Sequence, residues 1–273
     1  MQPPSPILAP SFLLLTQEGH LISRCLTTGL TELRTANVHN VGAFYAALLN
    51  LSVGTERLMK ASIIIDHMLK NGLSVPTSRE LKAYGHDLIR LYESCANISK
   101  LEAHQVPEFT TLEEISRELL VLLCDFASTT RYHNLDTLSA TSRHKDPLAH
   151  WNDILRAILE TDVTENRKAK IIANASATLS SISDRTFTLM QGLDQQALST
   201  EQALTLPGLH AEAAKHAVLH IVKLLWPLRK LISDLSRKAY LIGETNPPFP
   251  QMQEFLYWLY DDRAYVLKKK RWP

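Results

Sequence analysis

The sequence predicts an all-α protein: an antiparallel helical bundle extended by a C-terminal helical hairpin. Three observations carry this. There are only nine glycines in 273 residues, so few positions favour tight turns. Apolar residues recur at steps of three and four over long stretches instead of alternating. Helix start and stop signals bracket those stretches.

The elements follow in order. Residues 1–37 form a segment that packs on the bundle. Within it, Phe12-Leu13-Leu14-Leu15-Thr16, Gln17-Glu18-Gly19-His20 and Leu21-Ile22 read equally as a short β-hairpin or as a docked helix. The bundle proper spans 38–160. Its first helix runs from about 40 to 70, burying Leu48, Leu51, Leu58, Met59, Ile63 and Met68, and Asn71-Gly72 stops it. Thr77 and Glu80 form a capping box after Pro76 and start a second helix, which reaches about 98 with a break at Gly85. Thr111 and Glu114 start a third, with the stripe Ile115, Leu119, Leu122, Leu123 and Phe126. Asp146-Pro147 is an N-cap followed by a first-turn proline, and it opens a fourth with Trp151, Ile154, Leu155 and Ile158 on one face.

The hairpin spans 161–243. Ile172, Ala175, Leu179, Ile182, Thr186 and Leu189 form one seam, and Val218, Ile221, Leu225, Leu228, Ile232 and Leu235 form the other. A loop near 192–208 joins them, and Pro227 should kink the second helix. The extension 244–273 begins with the breaker Thr245-Asn246-Pro247-Pro248-Phe249-Pro250. A short aromatic helix, Phe255–Tyr260, follows, and a basic run, Lys268–Arg271, comes near its end.

Composition narrows the function. A hydrophobic share of 45% supports a substantial core, and a net charge of +1 gives no global pull toward nucleic acid. Any RNA contact must come from a local patch. Cys25, Cys95 and Cys124 lie far apart, which argues for a reducing compartment and against a disulfide framework or zinc knuckle. The start MQPPSPILAP lacks a basic region before its apolar residues, and no apolar run approaches the ~20 residues that span a bilayer. The expected home is the cytoplasm, with no membrane contact.

Two segments carry a resemblance. Gly42–Lys60, GAFYAALLNLSVGTERLMK, resembles the opening helix of HEPN-type helical domains. Tyr84-Gly85-His86-Asp87-Leu88 resembles a segment common in their second helix. The resemblance covers the first half of the chain. It implies an RNA-associated protein of bacterial defence, toxin or RNA-processing type, a homodimer, and RNA or a protein as partner. Where such proteins are nucleases, an Arg is followed after four to six residues by a His, near the junction of the third and fourth helices. The implied reaction is metal-independent RNA cleavage without a cofactor. The His handles the proton of the 2′-hydroxyl or leaving oxygen, and the Arg stabilises charge on the phosphate.

Three pairs have this spacing: Arg34–His39, Arg79–His86 and Arg143–His150. Context selects among them. Arg143–His150 has His144 directly after the Arg and straddles the start of the fourth helix, so it is the expected catalytic pair. His150 then lies near a helix N-terminus, whose dipole disfavours a cation. Arg79–His86 is the runner-up, and Arg34–His39 precedes the bundle. The alternative function is a non-catalytic helical module that binds RNA or a partner protein.

Other residue sets are weighed the same way. Arg131, Tyr132, His133 and Asn134 suit a phosphate and a stacked base, and equally suit a helix end with a surface loop. Glu56-Arg57 reads as an ion pair or as helix-surface charge. Glu212, His216 and His220 stand at successive four-residue steps. With Val218 and Leu225 at a positions they fall at b, f and c and face outward, so no metal site is expected. No Walker loop, HExxH, GxSxG or well-placed GxGxxG is present.

Overall fold

The computed structural model describes residues 8–101, 109, 112–140, 144–182, 186–242 and 247–273. The fold is all-α. Among the described residues, the only β-type pairing is an isolated bridge between Gln191 and Ala197.

The N-terminal ambiguity resolves as one helix, α1, Pro10–Thr35. Leu15, Ile22, Leu26, Leu30 and Leu33 lie on one buried stripe, a repeat visible only over the whole segment. Gly19 is no turn residue. A Cβ there would stand 2.3 Å from the Phe255 ring, so glycine lets that ring lie against the helix. Gly29 does the same for α2, since a Cβ there would lie 2.6 Å from Leu51 Cγ. Helix α2, Val41–Lys70, is buried along most of its length. It ends as expected: Gly72 takes φ +58°, and Leu73 N–H donates to Met68 O at 2.8 Å, closing a Schellman turn.

The capping box at Thr77 and Glu80 forms and starts α3, Ser78–Lys82. Gly85, at φ +55°, separates it from α4, Leu88–Leu101. Helix α5, Glu114–Ser128, has Glu113 at its N-cap position, while the expected start at Thr111 lies outside the described residues. The stretch after α5 is a 3-10 turn, Thr130–Tyr132, running into α6, His133–Leu138, instead of a surface loop. Helix α7, Pro147–Thr161, starts as read, with Asp146 Oδ1 accepting from Leu148 N–H at 2.8 Å.

Helix α8, Glu165–Ile182, stops short of its expected seam, and Leu189 lies beyond it, 85% exposed. Helix α9, Thr200–Ile242, has 43 residues, roughly 65 Å at 1.5 Å per residue. It runs unbroken through Pro207 and Pro227. Its middle is largely buried, touching α1, α2, α4, α5, α7 and α8, and also α10, Arg263–Lys268. The expected aromatic helix is instead a 3-10 turn, Met252–Leu256, with Trp258 and Leu259 buried after it. One buried cluster runs from Leu15 to Trp272. No helix of the described residues is long and apolar enough to cross a membrane.

Candidate functional site

Helix α2 presents Glu56, Arg57 and Lys60 on one outward face, one turn wide. Glu18 of α1 meets them: Arg57 Nη1 donates to its two carboxylate oxygens at 2.9 and 2.8 Å. The turn before α4 closes another side. Its left-handed Gly85 offers a carbonyl that accepts from Lys60 Nζ at 2.7 Å. The same turn places His86 Nδ1 3.0 Å from Glu56 Oε2. Lys60 also donates to Glu56 Oε1 at 2.7 Å. Burial alone would raise the Glu56 pKa, but the hydrogen bonds from Lys60 and His86 prevail and hold it below the ordinary value. Glu56 is therefore a fixed carboxylate that orients an imidazole whose side chain is 60% exposed.

Arg131 reaches the same place from the 3-10 turn after α5. Its Nη2 donates to Ala127 O at 2.9 Å, while its Nε is buried without a partner. Together these groups line a cavity of about 380 Å³ with apolar walls at Leu15, Val53 and Ile64. Arg57, Lys60 and Arg131 face two carboxylates there, Glu18 and Glu56. The cavity thus carries a positive excess without counting His86, and it suits an anion.

Of the expected catalytic pair, His150 lies elsewhere. Arg143 is outside the described residues. His150 sits in the first turn of α7, with Nε2 3.7 Å from Glu118 Oε2, and it opens on a groove of about 330 Å³. Glu114, Glu118 and Asp153 line that groove, and Lys145 is tied to Asp153 at 2.6 Å. This lining favours a cation or a neutral group over a phosphate.

Of the runner-up pair, His86 lines the cationic cavity, while Arg79 is exposed on α3 and does not. Arg34 is spent on the C-terminal segment, its Nε donating to Lys269 O at 3.0 Å, and His39 is exposed. Of the four residues read as an RNA contact, Arg131 alone lines the cavity. Tyr132 is exposed, His133 opens α6, and the Asn134 amide donates to Tyr45 Oη at 3.0 Å.

The outward placement of His216 and His220 is overturned. Both are buried, because α9 packs against more than one helix and leaves no solvent face at those positions. His220 Nε2 lies 2.9 Å from Asp162, and its Nδ1 lies 3.3 Å from Glu113. Burial pushes the His216 pKa down, with Asp162 opposing. Glu212 is engaged by Arg167 at 2.9 Å and Lys215 at 2.6 Å. Among the described residues, no cluster of three or more His, Cys, Asp or Glu side chains is arranged to hold a metal.

Sequence reasoning misses Glu18 and Lys60. Lys60 has a signal, four residues after Glu56 on a helix. Glu18 has none, since the secondary structure of its segment is open in the sequence. Comparison with known proteins gives no match to any family model, curated protein or solved structure.

Proposed function

We propose that this chain is an RNA-associated helical protein of HEPN-like type, acting in the cytoplasm as a non-catalytic module that holds RNA phosphate in the α1–α2 cavity. One observation carries the reading: Arg57, Lys60, His86 and Arg131, from three separate elements, converge on one cavity with a positive excess. A phosphate there accepts from guanidinium N–H groups that the carboxylates leave over. The test is fluorescence anisotropy with labelled single-stranded RNA across a salt series. Arg57→Ala with Arg131→Ala should weaken binding about tenfold or more and flatten the salt dependence. Binding equal to that of the parent, with the fold intact by circular dichroism, sinks the proposal.

A second reading is a metal-independent endoribonuclease of a defence or toxin system, using Arg143 and His150 in a homodimer. What favours it is His150, which opens on a groove beside a carboxylate that can orient its ring. His150 would take the 2′-hydroxyl proton, the 2′-oxygen would attack phosphorus, and the bond to the 5′-oxygen would break as the protonated His150 returns a proton to that oxygen. The three carboxylates around that groove weigh against it. RNA cleavage that survives a chelator and disappears in His150→Ala would put this reading first. Cleavage by neither protein would remove it.

A further inference from the structure

A second surface, far along the chain from the cavity, interleaves aromatic rings with cations. The Arg229 guanidinium lies 5.1 Å from the Trp226 ring centroid and 5.3 Å from that of Tyr260. Tyr260 meets Tyr265 edge-on, with centroids 6.0 Å apart. Lys269 Nζ lies 4.6 Å from the Tyr265 centroid and 6.0 Å from that of Trp272. The series Trp226, Arg229, Tyr260, Tyr265, Lys269, Trp272 is thus continuous from α9 past α10, ending on the buried Trp272. Packing fixes its members. Arg229 also donates to Leu259 O, and Asp262 caps α10 by accepting from Tyr265 N–H at 2.9 Å.

Two features go beyond what packing requires. Tyr260 keeps 49% of its surface exposed despite its neighbours, and Tyr257, one turn earlier, keeps 57%. The stretch 257–273 also holds five Lys and Arg against two Asp, in a chain whose net charge is +1. Lys268, Lys270 and Arg271 are exposed beside Lys269. Half-exposed rings in a cation-rich stretch are what an unpaired strand needs. The rings stack on bases of any sequence, and the cations follow the backbone. A duplex hides its base faces and has no use for the rings. An acidic polypeptide would use the cations alone.

We propose that this aromatic and cationic surface, centred on Tyr257, Tyr260 and Lys268–Arg271, is a binding track for single-stranded RNA. It rests on the RNA reading above for its partner class, and it assigns the strandedness and a second place of binding. The probe is a fluorescein-labelled oligouridylate of about 15 nucleotides, against a duplex RNA of equal length and polyglutamate. Tyr257→Ala with Tyr260→Ala leaves the charge unchanged. It should weaken oligouridylate binding about thirtyfold or more at constant salt slope, and Tyr257→Ala alone should give part of that weakening without touching the series. Lys268→Gln, Lys270→Gln and Arg271→Gln together should lower the slope by about two, near 0.7 for each phosphate no longer neutralised. Unchanged affinity in both tyrosine variants, equal affinity for the duplex, or tighter binding of polyglutamate would each overturn the track. The Arg57→Ala, Arg131→Ala protein is measured in parallel. If it alone weakens, the track falls and the cavity stands. If the tyrosine variants alone weaken, the cavity falls.

Discussion

Helix α8 and the middle of α9 carry the same three-and-four apolar spacing, yet they live in different surroundings. Val218, Ile221, Leu225, Leu228, Ile232 and Leu235 of α9 are all essentially inaccessible to solvent. On α8 the equivalent row begins with Ile172 at 43% exposure, and Ala175 is its one buried member. Spacing reports that a helix has an apolar face. It does not report how many neighbours cover the remaining faces. The polar residues of α9 tell the two apart. His210, His216 and His220 are buried with its leucines, whereas α8 buries no ionisable side chain.

The contrast can be broken by substitution. The largest effect belongs to the α9 core: Leu228→Ala should cost about 2–5 kcal/mol of stability, read from urea midpoints at unchanged slope. Next comes His210. Burial pushes its pKa from 6.5 down to about 4. The unfolded chain therefore binds the proton first as pH falls. Stability is full above about pH 6.5 and declines by roughly 3 kcal/mol toward pH 4, and His210→Gln should flatten that part of the stability–pH curve. His220→Ala strips Asp162 of its 2.9 Å partner and should cost about 1–3 kcal/mol. Ile172→Ala on α8 should cost less than about 1 kcal/mol. An effect at Ile172 as large as that at Leu228 would mean that α8 is covered in solution by something else, a second copy included.

Signals in the sequence are legible where they act locally. The Asn71-Gly72 stop, the Thr77–Glu80 box and the Asp146-Pro147 start each depend on atoms within a few residues, and each forms. What the sequence hides depends on distant chain. The N-terminal segment reads equally as hairpin or helix because Gly19 looks like a turn until Phe255 is seen lying against it. The heptad puts His216 and His220 outward because it assumes a single partner helix, and α9 has several. The cationic cavity is half legible. Glu56-Arg57, His86 and Arg131 each stand out in the sequence, but as unrelated motifs. Only the fold brings α2, the Gly85 turn and the end of α5 together.

The C-terminal segment lies along α1. Ser11 donates to Pro248 O at 2.9 Å, Trp258 Nε1 donates to Ser23 at 2.9 Å, and Trp272 N–H donates to Thr31 at 3.0 Å. These partners are 235 to 241 residues apart. At ~5–20 residues per second on the ribosome, α1 waits on the order of tens of seconds for its covering strip to be made. For that time Gly19 and its flanking leucines face water or a chaperone. The Phe255 ring can lie against the glycine left open for it only once residue 255 has been made.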